Sequence, residues 1–176
     1  MEYLWLEGLC EKTKQLFRAK RYMDDIILLY ITNPRFQVEQ FLHDFQSSEC
    51  YWPPLKLEDG ATDTFLETTF IIEDNNIRHK LKNVNEDDIT VWRYAHYNSN
   101  NRYTYKKATL LASLRKVHFM ASDDIMLIGS ALEKIREFIL LSYPKRMLHT
   151  TCTEMGVLTR NATWFVIRQL ALRFFA

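Results

Sequence analysis

Asp24 and Asp25 are adjacent carboxylates set between two apolar runs near the start of the chain. Ahead of them lie Leu16-Phe17 and the basic Arg18-Ala19-Lys20-Arg21. Behind them Ile26-Ile27-Leu28-Leu29-Tyr30-Ile31 is β-branched and aromatic enough to form a buried strand. A polar pair at such a junction predicts a tight hairpin. Carboxylates at the mouth of an apolar strand pair must find donors or cations, or lose their charge, and a divalent metal answers that need. The plainer alternative is an exposed Asp-Asp turn between ordinary strands. A second stretch with chemical potential runs from Trp92 through Arg93, Tyr94, His96, Tyr97, Asn98 and Asn100 to Arg102 and Tyr103. Aromatic rings alternating with cations and amides can stack on bases and bond to phosphates. Equally, Trp92 and Tyr94 could anchor a polar loop in the core.

The elements that must position these groups follow from periodicity. Leu4, Leu9, Leu16 and Phe17 predict a short amphipathic helix over residues 1–17. After the hairpin, Thr32-Asn33-Pro34 can open a helix whose apolar stripe is Phe36, Val38, Phe41, Leu42 and Phe45, with His43 on the solvent side. Strands are expected around 18–31, 55–58, 64–73 and 77–83, the last two forming a hairpin about Glu73-Asp74-Asn75-Asn76. From Thr104 the pattern turns helical. Leu110, Leu111, Leu114 and Val117 face inward while Lys106, Lys107, Arg115 and Lys116 form a basic face. Ser122-Asp123-Asp124 reads as a helix start complementing the macrodipole, Tyr143-Pro144 as its stop, and roughly 153–175 as one last helix. The expected class is α+β: a small antiparallel sheet with a packed helix, followed by a helical bundle.

Bulk composition narrows the function classes. With 176 residues and 47% hydrophobic content the chain can build one sizeable core, and four Gly with four Pro argue against disorder. Net charge is +1, yet residues 1–101 hold 11 Lys+Arg against 17 Asp+Glu, while 102–176 hold 12 against 5. The second part is therefore the candidate anion-binding surface. Cys10, Cys50 and Cys152 are too scattered for a metal site and read as reduced thiols of an intracellular protein. No apolar run reaches the ~18 residues of a spanning helix, so no membrane partner is expected.

Tyr22-Met23-Asp24-Asp25 resembles the Tyr-Met-Asp-Asp signature of reverse transcriptases. The likeness continues through Pro53-Pro54-Leu55-Lys56-Leu57-Glu58, Phe65-Leu66-Glu67 with Thr69 and Ile72, and His96-Tyr97-Asn98-Ser99-Asn100 ahead of Lys106-Lys107, a series similar to Penelope-like and related viral or protist members. Glu67 stands where those relatives commonly carry Asp. The resemblance implies that residues 1–101 are a partial palm with the Asp-Asp hairpin and a connector, and 102–176 a thumb-like region. It makes Asp24 a direct metal ligand and Asp25 the second carboxylate of a two-Mg2+ nucleotidyltransferase site, with Tyr22 and Met23 against the primer end or nucleotide. Arg102, Lys106, Lys107, Arg115 and Lys116 then lie near an RNA or RNA–DNA duplex.

The family needs a third carboxylate from an earlier palm strand, and fingers that grip the nucleotide. Met1 stands 23 residues before Asp24, and Glu2, Glu7 and Glu11 fall in the expected first helix. The primary expectation is thus the C-terminal portion of an RNA-directed DNA polymerase, completed by a second polypeptide carrying the fingers and first palm carboxylate. The alternatives are a catalytically inactive, reverse-transcriptase-derived RNA-binding or structural subunit of a large ribonucleoprotein, and an ordinary α+β interaction domain with a basic helical face.

Overall fold

In a computed structural model of the chain, residues 8–9, 15, 17–22, 25–30, 37–47, 63–73, 76–83 and 93–174 are described. Their order is β1 (Phe17–Tyr22), β2 (Asp25–Tyr30), α1 (Val38–Ser47), β3 (Thr64–Phe65), β4 (Thr68–Glu73), β5 (Asn76–Leu81), α2 (Tyr103–Met120), α3 (Asp124–Leu140), α4 (Lys145–Thr159) and α5 (Thr163–Phe174). The fold class is α+β, as expected, with two small antiparallel sheets and five helices among the described residues. Of the expected helix over 1–17 only Gly8, Leu9, Gln15 and Phe17 are described. The expected strand over 55–58 lies outside the described residues, as do Thr32-Asn33-Pro34 and Trp92. The chain divides into two compact units, Met1–Leu66 and Glu67–Ala176.

In the first unit β1 and β2 form an antiparallel ladder from Phe17 opposite Tyr30 to Tyr22 opposite Asp25. Ile26 to Leu29 are half-buried, consistent with β-branched and leucine side chains on a covered strand. Helix α1 supplies the cover: Phe45 is buried, and the Phe41 ring lies 4.7 Å from that of buried Phe17. Its polar side holds exposed Glu39, Gln40, His43 and Asp44, with Gln40 Nε2 donating to Asp44 Oδ1 at 2.7 Å one turn on.

The second unit sets the β4–β5 hairpin against a four-helix assembly, α2 to α5. The expected strand over 64–73 is interrupted: Leu66 takes a left-handed backbone, φ 56°, and ends β3 before β4 begins. A leucine in that region is uncommon, which is why β-forming composition concealed the break. Strand β5 is pinned to the α2–α3 junction. His79 N–H donates to Ser122 Oγ at 3.0 Å, Ser122 N–H returns to His79 O at 2.9 Å, and Arg78 Nε meets Asp123 Oδ2 at 3.0 Å.

The core repeats at helical spacing, with Leu110, Leu114 and Val117 from α2, Ala131, Ile135 and Phe138 from α3, Cys152 and Met155 from α4, and Trp164 and Ile167 from α5, all fully buried. Each large side chain so buried contributes about 1.5–3 kcal/mol. One ion pair is enclosed with them: Lys134 Nζ lies 2.6 Å from Glu137 Oε2, beneath the Tyr94 ring at 5.4 Å. No helix among the described residues is long and apolar enough to cross a membrane.

The C-terminal region corrects the sequence reading. In place of one helix over 153–175 there are two, α4 and α5, so four helices follow residue 102 where three were expected. The Thr-rich stretch is helical, and inside it the Thr151 and Thr153 hydroxyls donate to the carbonyls of Met147 and His149, at 2.9 and 3.1 Å, so that neither hydroxyl is left without a partner. Arg160 then turns left-handed at φ 52°, and Asn161 Oδ1 accepts from Thr163 N–H at 2.8 Å to start α5. Asn161-Ala162-Thr163 is thus a helix junction. At the other end of the bundle Ser142, φ 64°, takes the left-handed place that glycine usually fills. Its N–H bonds to Ile139 O at 2.9 Å and that of Tyr143 to Phe138 O at 3.0 Å, closing α3 in a Schellman turn.

Candidate functional site

The Asp-Asp hairpin is built by the β1–β2 ladder. Because Tyr22 pairs with Asp25, the connection is two residues long, Met23-Asp24, the length that a tight antiparallel hairpin favours. Asp25 heads β2; Met23 and Asp24, and the side chains of Tyr22 and Asp25, lie outside the described residues. The donor set is chemically suited to Mg2+, which prefers hard carboxylate oxygens. Among the described residues there is no group of three or more His, Cys, Asp or Glu side chains that could hold a metal ion.

The five cations expected to bind nucleic acid belong to the second unit, and the structure gives them different tasks. Lys106 Nζ donates to Ser99 O at 2.8 Å and lies 4.9 Å from the centre of the Tyr97 ring. Lys107 Nζ meets Glu154 Oε2 at 2.8 Å, and this hydrogen bond raises the lysine pKa. Lys116 donates to Glu67 Oε2, with Arg93 at 3.5 Å from the other carboxylate oxygen. The hydrogen bond from Lys116 is the main reason the Glu67 carboxyl sits below its ordinary pKa. These three lysines brace helix α2 against the connector, α4 and the turn that leads into β4. Arg102 and Arg115 are exposed and make no ion pair among the described residues.

No protein-family model, curated protein or solved structure matches the chain.

The aromatic connector serves chiefly as an anchor. Tyr94 stacks on Phe138 at 4.9 Å and Tyr97 meets Tyr143 edge-on at 5.4 Å, so neither ring is presented for a base. Tyr97 N–H donates to Leu141 O at 2.9 Å and Tyr143 Oη to Ala95 O at 3.4 Å, fastening residues 95–97 to the end of α3.

His96 Nε2 lies 3.0 Å from Ser142 Oγ, a distance that suits a base and a nucleophile. However, His96 Nδ1 accepts from Asn98 N–H at 3.2 Å, so the neutral ring carries its proton on Nε2 and donates it to the serine. It cannot take the serine proton, and the pair serves to fasten the connector. Cys152 is likewise unreactive: burial pushes its thiol pKa up to about 12.

Sequence reasoning found Arg102 and Arg115 but missed Lys145 and Arg146, both exposed in the first turn of α4. The signal was present. No Asp or Glu occurs in 94–122 or 138–153, and only the fold shows that these segments meet at one end of the bundle.

Proposed function

We propose that the chain carries the Asp-Asp palm hairpin and thumb of a reverse transcriptase. Asp24 and Asp25 would hold the catalytic Mg2+ ions, and the helical unit would contact a primer–template duplex. The observation that carries this reading is the β1–β2 hairpin, whose register leaves the two-residue connection Met23-Asp24 at its tip with Asp25 opening the second strand. The order that follows it supports the same reading, with a packed helix, a second hairpin and then a basic helical bundle. When bound, paired Mg2+ ions stabilise the attacking and leaving oxygens of phosphoryl transfer. In this account the chain's own contribution is to present two adjacent carboxylates on a short, well-registered turn, and to meet phosphates through Arg102 and Arg115. In the family it resembles, a third carboxylate and nucleotide-gripping fingers complete such a site.

A second reading, an inactive RNA-binding or structural subunit of a ribonucleoprotein, is favoured by one observation. Lys106, Lys107 and Lys116 brace the unit from within, as a scaffold would. Primer extension separates the two. The assembly recovered through a tag on this chain is given an RNA template, a DNA primer and deoxynucleotides. The polymerase reading expects extension that requires Mg2+ and is abolished by D25N; the scaffold reading expects bound RNA and no extension.

A further inference from the structure

Helices α2 and α4 run in the same direction. The connector fastens the start of α2 to the end of α3 through Tyr97 N–H to Leu141 O, and the far end of α2 meets the start of α5 where the His118 and Trp164 rings lie 6.3 Å apart. The Lys107–Glu154 pair sets their register. One turn back along each helix brings Tyr103 level with Thr150, and a further turn along α4 reaches Arg146, because residues four apart lie on one face about 6 Å apart along the axis. Tyr103 is 59% exposed and lies four residues before Lys107, on the same face of the helix. Arg102 precedes Tyr103, and Lys145 and Arg146 occupy the first turn of α4; all three are exposed, and none is in an ion pair among the described residues. The only carboxylate of α4 is Glu154, which Lys107 already occupies.

We infer that this end of the bundle binds single-stranded nucleic acid: one base stacks on Tyr103, while Arg102, Lys145 and Arg146 pair with the flanking phosphates. An exposed ring between cations that are unpaired among the described residues, with no free carboxylate on α4 or in residues 94–122, is the arrangement that grips a single strand independently of its sequence. The inference uses only residues of the Glu67–Ala176 unit and needs no metal, so it stands or falls separately from the polymerase reading.

The test is fluorescence anisotropy of the full chain with a labelled oligouridylate, without divalent metal or nucleotides, over a salt series. Tyr103→Ala is expected to weaken binding about ten-fold with an unchanged salt slope, and Tyr103→Phe to restore it. Arg146→Ala is expected to lower the slope by about 0.7. Tyr105→Ala, equally exposed but two residues away and so on another face of α2, is expected to stay within about two-fold of the parent. Failure of the parent chain to bind at low salt would overturn the inference. So would equal losses from Tyr103→Ala and Tyr105→Ala, or displacement of the RNA by polyglutamate of matched charge in a Tyr103-independent way.

Discussion

Lys107 Nζ and Glu154 Oε2, 2.8 Å apart, lock the first third of α2 to the middle of α4. The pairing gives a protein partner to a lysine that sequence reasoning had placed among the phosphate contacts. Loss of Lys107 should therefore disturb the α2–α4 contact and leave the number of phosphate contacts unchanged. With a primer–template duplex, Lys107→Ala is expected to keep the salt slope of binding. The double change Arg102→Ala and Arg115→Ala should reduce it by about 2. A slope that falls with Lys107 and holds without both arginines would reverse the assignment.

Tyr94, stacked on Phe138 and covering the Lys134–Glu137 pair, is expected to matter for folding. Tyr94→Ala removes the stack and opens a buried ion pair to water, at a cost of about 2–4 kcal/mol in urea denaturation. Nucleic-acid affinity of the folded fraction should not change. Unaltered stability would show that the connector is a surface loop.

Acid should loosen the second unit by a specific route. Asp123 is held below its ordinary pKa first by the Met126 backbone N–H and then by Ser122 and Arg78, and Glu67 chiefly by Lys116. Both carboxyls bind protons more weakly when folded. The stability they add is thus complete above the ordinary carboxylate pKa, about 4, and is lost as pH falls through their depressed values. Thermal melts from neutral to acid pH should show a drop that Glu67→Gln makes shallower. Asp123→Ala should in addition cost about 1 kcal/mol at neutral pH through the lost α3 cap.

How much of this was legible in the sequence depends on how local the cause is. The β1–β2 hairpin was readable because Ile26 to Tyr30 form a continuous β-prone run directly after a polar turn, and the Asp123 cap because Ser122-Asp123-Asp124 directly precedes the helical apolar repeat of Ile125, Ile128, Leu132 and Ile135. The helix break at Arg160 was not, since no glycine or proline marks it and an arginine adopts the left-handed backbone. Leu66 hid the end of β3 for the same reason. The fates of the lysines were set by partners distant in sequence, Glu154 for Lys107 and Glu67 for Lys116, which no local pattern announces.

The central claim is that Asp24 and Asp25 hold metal for nucleotide addition and not for binding. It is tested most directly by Asp24→Asn in the assembly recovered through this chain, with primer extension and primer–template affinity measured on the same preparation. The account predicts that extension falls at least about 100-fold while affinity stays within about two-fold, the pattern of a group that acts in the transition state alone. Extension that survives the substitution, or affinity that falls in step with it, would contradict the claim.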